Sequence, residues 1–356
     1  MQRSVHRLAF SVLAWLVAAG GCTDSSPDPK TLREAAEAKQ RLFGAALSSS
    51  NLNLDPVYAQ VAGREFDYAT PESEMNWDPT ETSPGTFNFA AADQVVAFAA
   101  ANGMQVKGHT LVWHHSLPAW VSNLTTAGDL RAAMTNHIQN VVGHYAGSVV
   151  AWDVVDEALT DTTPTTYRDT IFSSLLGETY IDEAFQLAHA ADPNALLFYN
   201  ESDIDWSSDK LDATVALMQR LLAAGVPVSG VGFETHVPGQ GAPTGGDLAA
   251  ALKRITDLGL LVNLSELDVR VGQVSGDLSY KFEVQRSRYH ELVAACVQNP
   301  QCMSVTTWGV TDAHTWLDDQ TQWSWAGDGP HYPLLFNADG TKKPAYAGTL
   351  LALLGQ

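Results

Sequence analysis

Short apolar runs and longer stretches of helical period alternate along this chain from about residue 30 to the C-terminus. The apolar runs are Phe43–Leu47, Glu65–Tyr68, Gln105–Val112, Val149–Val155, Ala195–Tyr199, Gly230–Phe233, Leu260–Leu264 and Met303–Trp308. Their length and β-branched content predict eight buried strands. Between most of them the period predicts helices: Ala90–Ala101, Leu130–Tyr145, Thr179–Ala190, Lys210–Ala223, Leu248–Asp257 and Ser279–Val297. Lys30–Arg41 precedes the first strand, Asp55–Val61 is a short first crossover, and Ala345–Leu354 closes the chain.

Eight strands alternating with helices, without a second composition regime, predict a single (β/α)8 TIM barrel. An open doubly wound sheet would be expected to carry a glycine-rich phosphate loop after its first strand. The residues there, Leu47-Ser48-Ser49-Ser50-Asn51, contain no glycine.

In a barrel the C-terminal strand ends share one face, and polar residues gather at these ends. The fourth run stops at Asp156 and Glu157; the seventh stops at Glu266 and Asp268. Thr70–Trp77 follows strand two, His109–His115 lies at strand three, and Asn200-Glu201 at strand five. Glu234 and His236 follow strand six, and Trp308 ends strand eight. Two facing carboxyls are what glycosidic bond cleavage requires, with Glu157 and Glu266 placed at the ends of strands four and seven. Trp152, inside a strand, reads as core.

The 356 residues suit one such barrel. The formal charge of −20, with 20 basic against 40 acidic residues, argues against nucleic acid and anionic membrane surfaces as partners. A neutral polysaccharide is unaffected by it. The N-terminus has Arg3, His6 and Arg7, then the apolar Leu8–Ala19, then Gly20-Gly21-Cys22. This predicts a signal peptide over residues 1–22, too short to span a bilayer, with a possible lipobox at Cys22. Residues 23–30 read as a short linker and 31–356 as the catalytic domain. The expected form is a monomer, exported, and either lipid-tethered or free. In an exported chain Cys296 and Cys302 are expected to form a disulfide that pins a helix-to-strand turn.

The motifs then resemble a particular family. TPESEMNWD (Thr70–Asp78), KGHTLVWHHSLPAW (Lys107–Trp120), WDVVDEA (Trp152–Ala158), GVGFETH (Gly230–His236), SELDV (Ser265–Val269) and TTWGVTDAHTW (Thr306–Trp316) resemble glycoside hydrolase family 10, the barrel endo-β-1,4-xylanases. The similarity runs from about Leu32 to the C-terminus. It implies Glu157 as acid/base, Glu266 as nucleophile, and retention of anomeric configuration. It implies that Glu72, His109, Trp113, Trp308 and Trp316 line the glycone side, and that His236 orients Glu266. No cofactor and no metal are expected. The Cys296–Cys302 spacing also resembles a bridge of family members. Chemically, a retaining glycosidase needs one protonated and one ionised carboxyl, roughly 5–5.5 Å apart.

Four residues depart from the family pattern: Asp156 and Glu234 stand where an asparagine and a glutamine are usual, and Ser73 and Asn76 where an asparagine and a lysine are usual. With Asn200 these residues surround the sugar site. An ionised carboxylate keeps the amide's acceptor and loses its donor. It also adds charge beside Glu157 and Glu266. Altered sugar binding, with one added carboxyl working protonated, is therefore expected; weaker xylanase activity after neutral drift is the other reading. Three further readings stay open on these residues: a different β-glycan or aryl β-glycoside as substrate, a non-catalytic sugar-binding lipoprotein, and a metal-dependent barrel amidohydrolase using His109, His114, His115 and His236. The last would usually start with a His-x-His pair after strand one, where none occurs. The segment Asp318–Tyr332, with Trp323 and Trp325, is expected to cap the mouth.

Overall fold

A computed structural model of the chain describes residues 31–206, 208–241, 243–318 and 329–356. Cys22, the signal peptide, the linker, Trp323 and Trp325 lie outside the described residues.

The strands, in chain order, are β1 (Leu42–Leu47), β2 (Tyr68–Pro71), β3 (Gln105–Gly108), β4 (Ala151–Asp156), β5 (Leu196–Glu201), β6 (Gly230–Phe233), β7 (His236–Pro238), β8 (Leu261–Arg270) and β9 (Cys302–Thr307). The order β6-β5-β4-β3-β2-β1-β9-β8 is parallel throughout, and β6 pairs with β8 to close the ring. These eight strands are the predicted (β/α)8 barrel. The short β7 adds to the outer half of β8, pairing His236 with Asp268.

Helices cover the barrel through apolar faces of the expected period. Gly245–Thr256 buries Leu248, Ala251, Leu252 and Ile255, and a Thr244–Asp247 capping box starts it three residues before the apolar face begins. The other long helices, Ala90–Ala101, Ala127–His144, Tyr180–Ala191, Ser208–Ala223, Leu278–Gln298 and Pro344–Leu354, lie within a few residues of expectation. None of the described helices is long and apolar enough to cross a membrane.

Three strands differ from expectation. The second begins at Tyr68 because the helix Pro56–Glu65, capped by Asp55, occupies the residues before it. Glu65 looks strand-like only because it is buried; its carboxylate accepts from Leu32 N and Tyr346 Oη. The third is regular only to Gly108, where a Cβ would stand 2.1 Å from the Trp152 ring. Beyond a bend, Leu111 N and Val112 N bond to β4 again. The seventh barrel strand, β8, runs on to Arg270. Its first four residues pair with β6, so Glu266 lies past the closed ring although inside the strand.

Cys296 and Cys302 form the expected disulfide, with Cα atoms 5.3 Å apart. It joins the end of helix Leu278–Gln298 to the start of β9, at the barrel end opposite the C-terminal strand ends.

Candidate active site

A cavity of about 970 Å³ opens at the C-terminal strand ends. Glu72, Ser73, Asn76, His109, Trp113, Asp156, Glu157, Glu234, His236, Glu266, Trp308 and Trp316 all line it. Asn200 lies just behind, buried on β5 and bonded to three of the carboxyls. Every residue expected at the sugar site is therefore gathered at one place, while the Cys296–Cys302 bridge lies at the other end of the barrel.

Glu157 follows directly on β4 and has a left-handed backbone, φ +48°. That conformation is costly for a residue with a Cβ and persists where the surroundings fix it. Here Glu157 N donates to Asn200 O, and Arg168 Nε donates to Glu157 O. The next two amides are also held, Ala158 N by Tyr199 Oη and Leu159 N by Glu201 Oε2. The Glu157 carboxyl accepts from Trp113 Nε1 at 3.2 Å. His114 Nε2 is 3.9 Å away; burial, with His115 and Arg168 nearby, pushes that ring down to about 3, so it is neutral.

Glu266 is bound by Asn200 Nδ2 at 2.9 Å and by His236 Nε2 at 3.2 Å. His236 Nδ1 in turn meets Asp268 Oδ2 at 2.9 Å, an oxygen that also accepts from Trp316 Nε1. Burial alone would lower the His236 pKa, but Asp268 and Glu266 outweigh it and raise it to about 10. His236 is thus an imidazolium donating from both nitrogens.

Opposite, Asp153 joins Lys107 Nζ at 2.6 Å and His109 Nδ1 at 3.0 Å. Burial works against its ionisation, yet these partners hold Asp153 below the usual carboxylate range. Trp308 stands edge-on to His109, with centroids 5.1 Å apart. Glu72 is pushed up to about 7 by burial and by Glu74 and Glu266. Asn76 accepts from Thr110 N and donates to Ser116 Oγ, which ties the strand-two loop to the strand-three loop. Both His236 nitrogens meet carboxylates, whereas His109 uses Nδ1 for Asp153 and its Nε2 lies 3.9 Å from Asp156 Oδ2.

The sequence reading missed several participants. Asp161, Asp203, Trp206 and Arg270 also line the cavity. Asp153 and Lys210 support it from behind, paired with Lys107 and Glu201; Asp268 and Glu201 read in the sequence only as polar strand-end residues, without their partners His236 and Lys210. Asp268 carried a signal: two residues beyond Glu266 on a strand, it faces the same way.

A parallel barrel with two glutamates in one cavity, tryptophan walls and a histidine cation behind one glutamate is the architecture of a glycoside-cleaving hydrolase. The profile described as Glycosyl hydrolase family 10 matches residues 31–352, and the chain belongs to that family. Endo-1,4-beta-xylanase 1 of Humicola insolens is 35% identical over 326 residues, which is 90% of this chain and 74% of that protein. Native xylanase 10B of Thermotoga maritima superposes with a TM-score of 0.85 at 34% identity, covering 91% of this chain and 98% of that one. Xylanase 10B of Thermotoga petrophila, solved with xylobiose, gives a TM-score of 0.86 at 34% identity over 92% and 98%.

Proposed function

We propose that the chain is a retaining endo-1,4-β-xylanase with Glu157 as acid/base and Glu266 as nucleophile. The observation that carries this reading is the sharing of one cavity by the two glutamates, each held by its own donors. Glu266 attacks the anomeric carbon while Glu157 protonates the leaving oxygen. Water, deprotonated by Glu157, then releases the sugar from Glu266 with the β configuration restored. His236 and Asn200 keep the Glu266 carboxylate aimed, and Trp113 orients Glu157. Glu72, Ser73, Asn76, His109, Asp156, Glu234, Trp308 and Trp316 form the glycone wall. The substrate is neutral xylan or its oligosaccharides; similarity to xylanases, one solved with xylobiose, supports this choice. The disulfide and the leader pattern support export, and Cys22 is the residue that would carry a lipid.

The test is hydrolysis of xylan and of aryl β-xylobiosides by wild type, E157A and E266A. E266A should be inactive on both. E157A should lose activity on xylan but keep the first step on an activated aryl leaving group, and azide should then restore turnover as a β-azide. Wild type that binds xylobiose but releases no product at any pH would overturn the reading in favour of a sugar-binding protein. Preferential cleavage of a β-glucan would transfer the mechanism to another substrate and overturn the xylan assignment.

A further inference from the structure

Asn200 Nδ2 lies 2.9 Å from Asp156 Oδ1, 3.1 Å from Glu234 Oε1 and 2.9 Å from Glu266 Oε1. An amide nitrogen carries two hydrogens. Three ionised carboxylates would therefore set three charged acceptors against two donors. The three residues are only 4%, 6% and 5% exposed, so little solvent reaches the shared nitrogen. Reversing the amide makes matters worse, because it would aim a carbonyl at all three oxygens. The observed orientation places Asn200 Oδ1 over Gly232, where a Cβ would stand 2.1 Å from it.

Among the described residues the one charged ring that reaches this cluster is that of His236, which donates to Glu266 and is shared with Asp268. Lys107 is paired with Asp153, and Lys210 with Glu201 and Asp161. His109 approaches Asp156 Oδ2 at 3.9 Å and Glu266 Oε1 at 4.0 Å, but its Nδ1 serves Asp153 at 3.0 Å. Arg270, across the cavity, has Asp268 and Asp203 as its charged neighbours. The charges facing Asp156 are mainly negative: Glu266, Glu157 and Asp153. Those facing Glu234 are chiefly Glu266, Glu157, Asp156 and Glu201, with the His236 ring also within 4.8 Å.

We propose that Asp156 and Glu234 retain a proton in the resting enzyme, and that this carboxylic acid O–H is a hydrogen-bond donor to a hydroxyl of the sugar held at Glu266. The two groups act as specificity-determining residues, and they titrate as a unit. Burial, then the charges of Glu266 and Glu157, pushes both well above the usual carboxyl range. A raised pKa means the donor is present at low pH and is lost as pH rises. Sugar affinity should then fall with rising pH. The sugar-contact half of this proposal rests on Glu266 being the nucleophile; the proton itself does not.

The test compares wild type with the double variant D156N/E234Q, whose amides keep a donor and cannot titrate. For an aryl β-xylobioside, wild-type KM should rise about tenfold per pH unit above the pair's titration, as a single lost proton requires. KM of the double variant should stay flat over the same range. Infrared difference spectra of the unliganded proteins at pH 6 should show a protonated carboxyl C=O stretch in wild type that the double variant lacks. The spectra need no turnover. If wild type is inactive, pH-dependent xylobiose affinity by calorimetry replaces KM, and the catalytic reading fails separately. Absence of the difference band, or a wild-type KM as flat as that of the variant, would overturn the proposal.

Discussion

Replacing His236 with asparagine removes the one cation in hydrogen-bond contact with Glu266. The pKa of His236 rises from an ordinary 6.5 to about 10. That preference for the charged ring is worth about 5 kcal/mol, divided between Asp268 and Glu266. The ring is 14% exposed, so solvent screening takes little from this figure. A hydrogen bond to a charged group contributes about 1.5–3 kcal/mol, so losing the contact to Glu266 should cut kcat/KM roughly ten- to 150-fold. Losing a neighbouring cation also makes a carboxyl easier to protonate, so the acid limb of the profile should move to higher pH. Stability supplies a second readout. A histidine whose pKa rises on folding stabilises fully below its unfolded value, about 6.5, and this is lost as pH rises through about 10. H236N should therefore be less stable than wild type at pH 6, and the gap should close towards pH 10. Profiles from an aryl β-xylobioside and urea midpoints at several pH values measure both effects. A kcat/KM within threefold of wild type with an unmoved acid limb would refute this account of Glu266.

Lys210, buried between Glu201 Oε1 at 2.8 Å and Asp161 Oδ1 at 2.5 Å, should be costly to remove. K210M should destabilise the fold by about 3–5 kcal/mol, because it strands a buried carboxyl. Since Glu201 holds Leu159 N, two residues from Glu157, the proposed acid/base, xylan cleavage should fall more than cleavage of an activated aryl glycoside; equal losses would show that Lys210 does not act through Glu157. Reducing the disulfide, or the C296A/C302A variant, should lower stability by about 2 kcal/mol, the chain-entropy value for so short a loop. It should leave kcat/KM unchanged, because the bridge sits at the far end of β9; urea midpoints and steady-state rates on the same samples decide both points.

The barrel was legible because its strands are buried on both faces and so appear as continuous apolar runs. Legibility failed where burial and regularity part company. Glu65 and Phe66 are buried, Phe66 stacked on Phe43, yet they end a helix and form a link. The outer half of β8 was hidden because its partner, His236–Pro238, is too short to show a period. Glu157 could be read from the abrupt stop of an apolar run, and Glu266 from a similar position although its strand runs on to Arg270. Their supports could not: Lys107 meets Asp153 across two strands, and Lys210 comes to Glu201 from a separate helix. A sequence shows which charges exist and gives no direct account of which ones meet.

Those meetings divide the carboxyls of the mouth into two sets. Asp153, Asp268 and Glu201 each have a cation within 3.0 Å and form a neutralised frame behind the cavity. Asp156, Glu157 and Glu234 face the cavity without a cation that close, and Glu266 shares its cation with Asp268. A neutral sugar gains little from the negative charge left in this cluster, on Glu266 above all, once Asp156 and Glu234 have kept their proton. The oxocarbenium-like transition state carries positive charge at the anomeric carbon and gains from it directly. Electrostatic attraction of this kind favours the transition state over the bound substrate, which is the condition for raising kcat. The burial that makes the cluster expensive to ionise also keeps water from screening it when the positive charge appears.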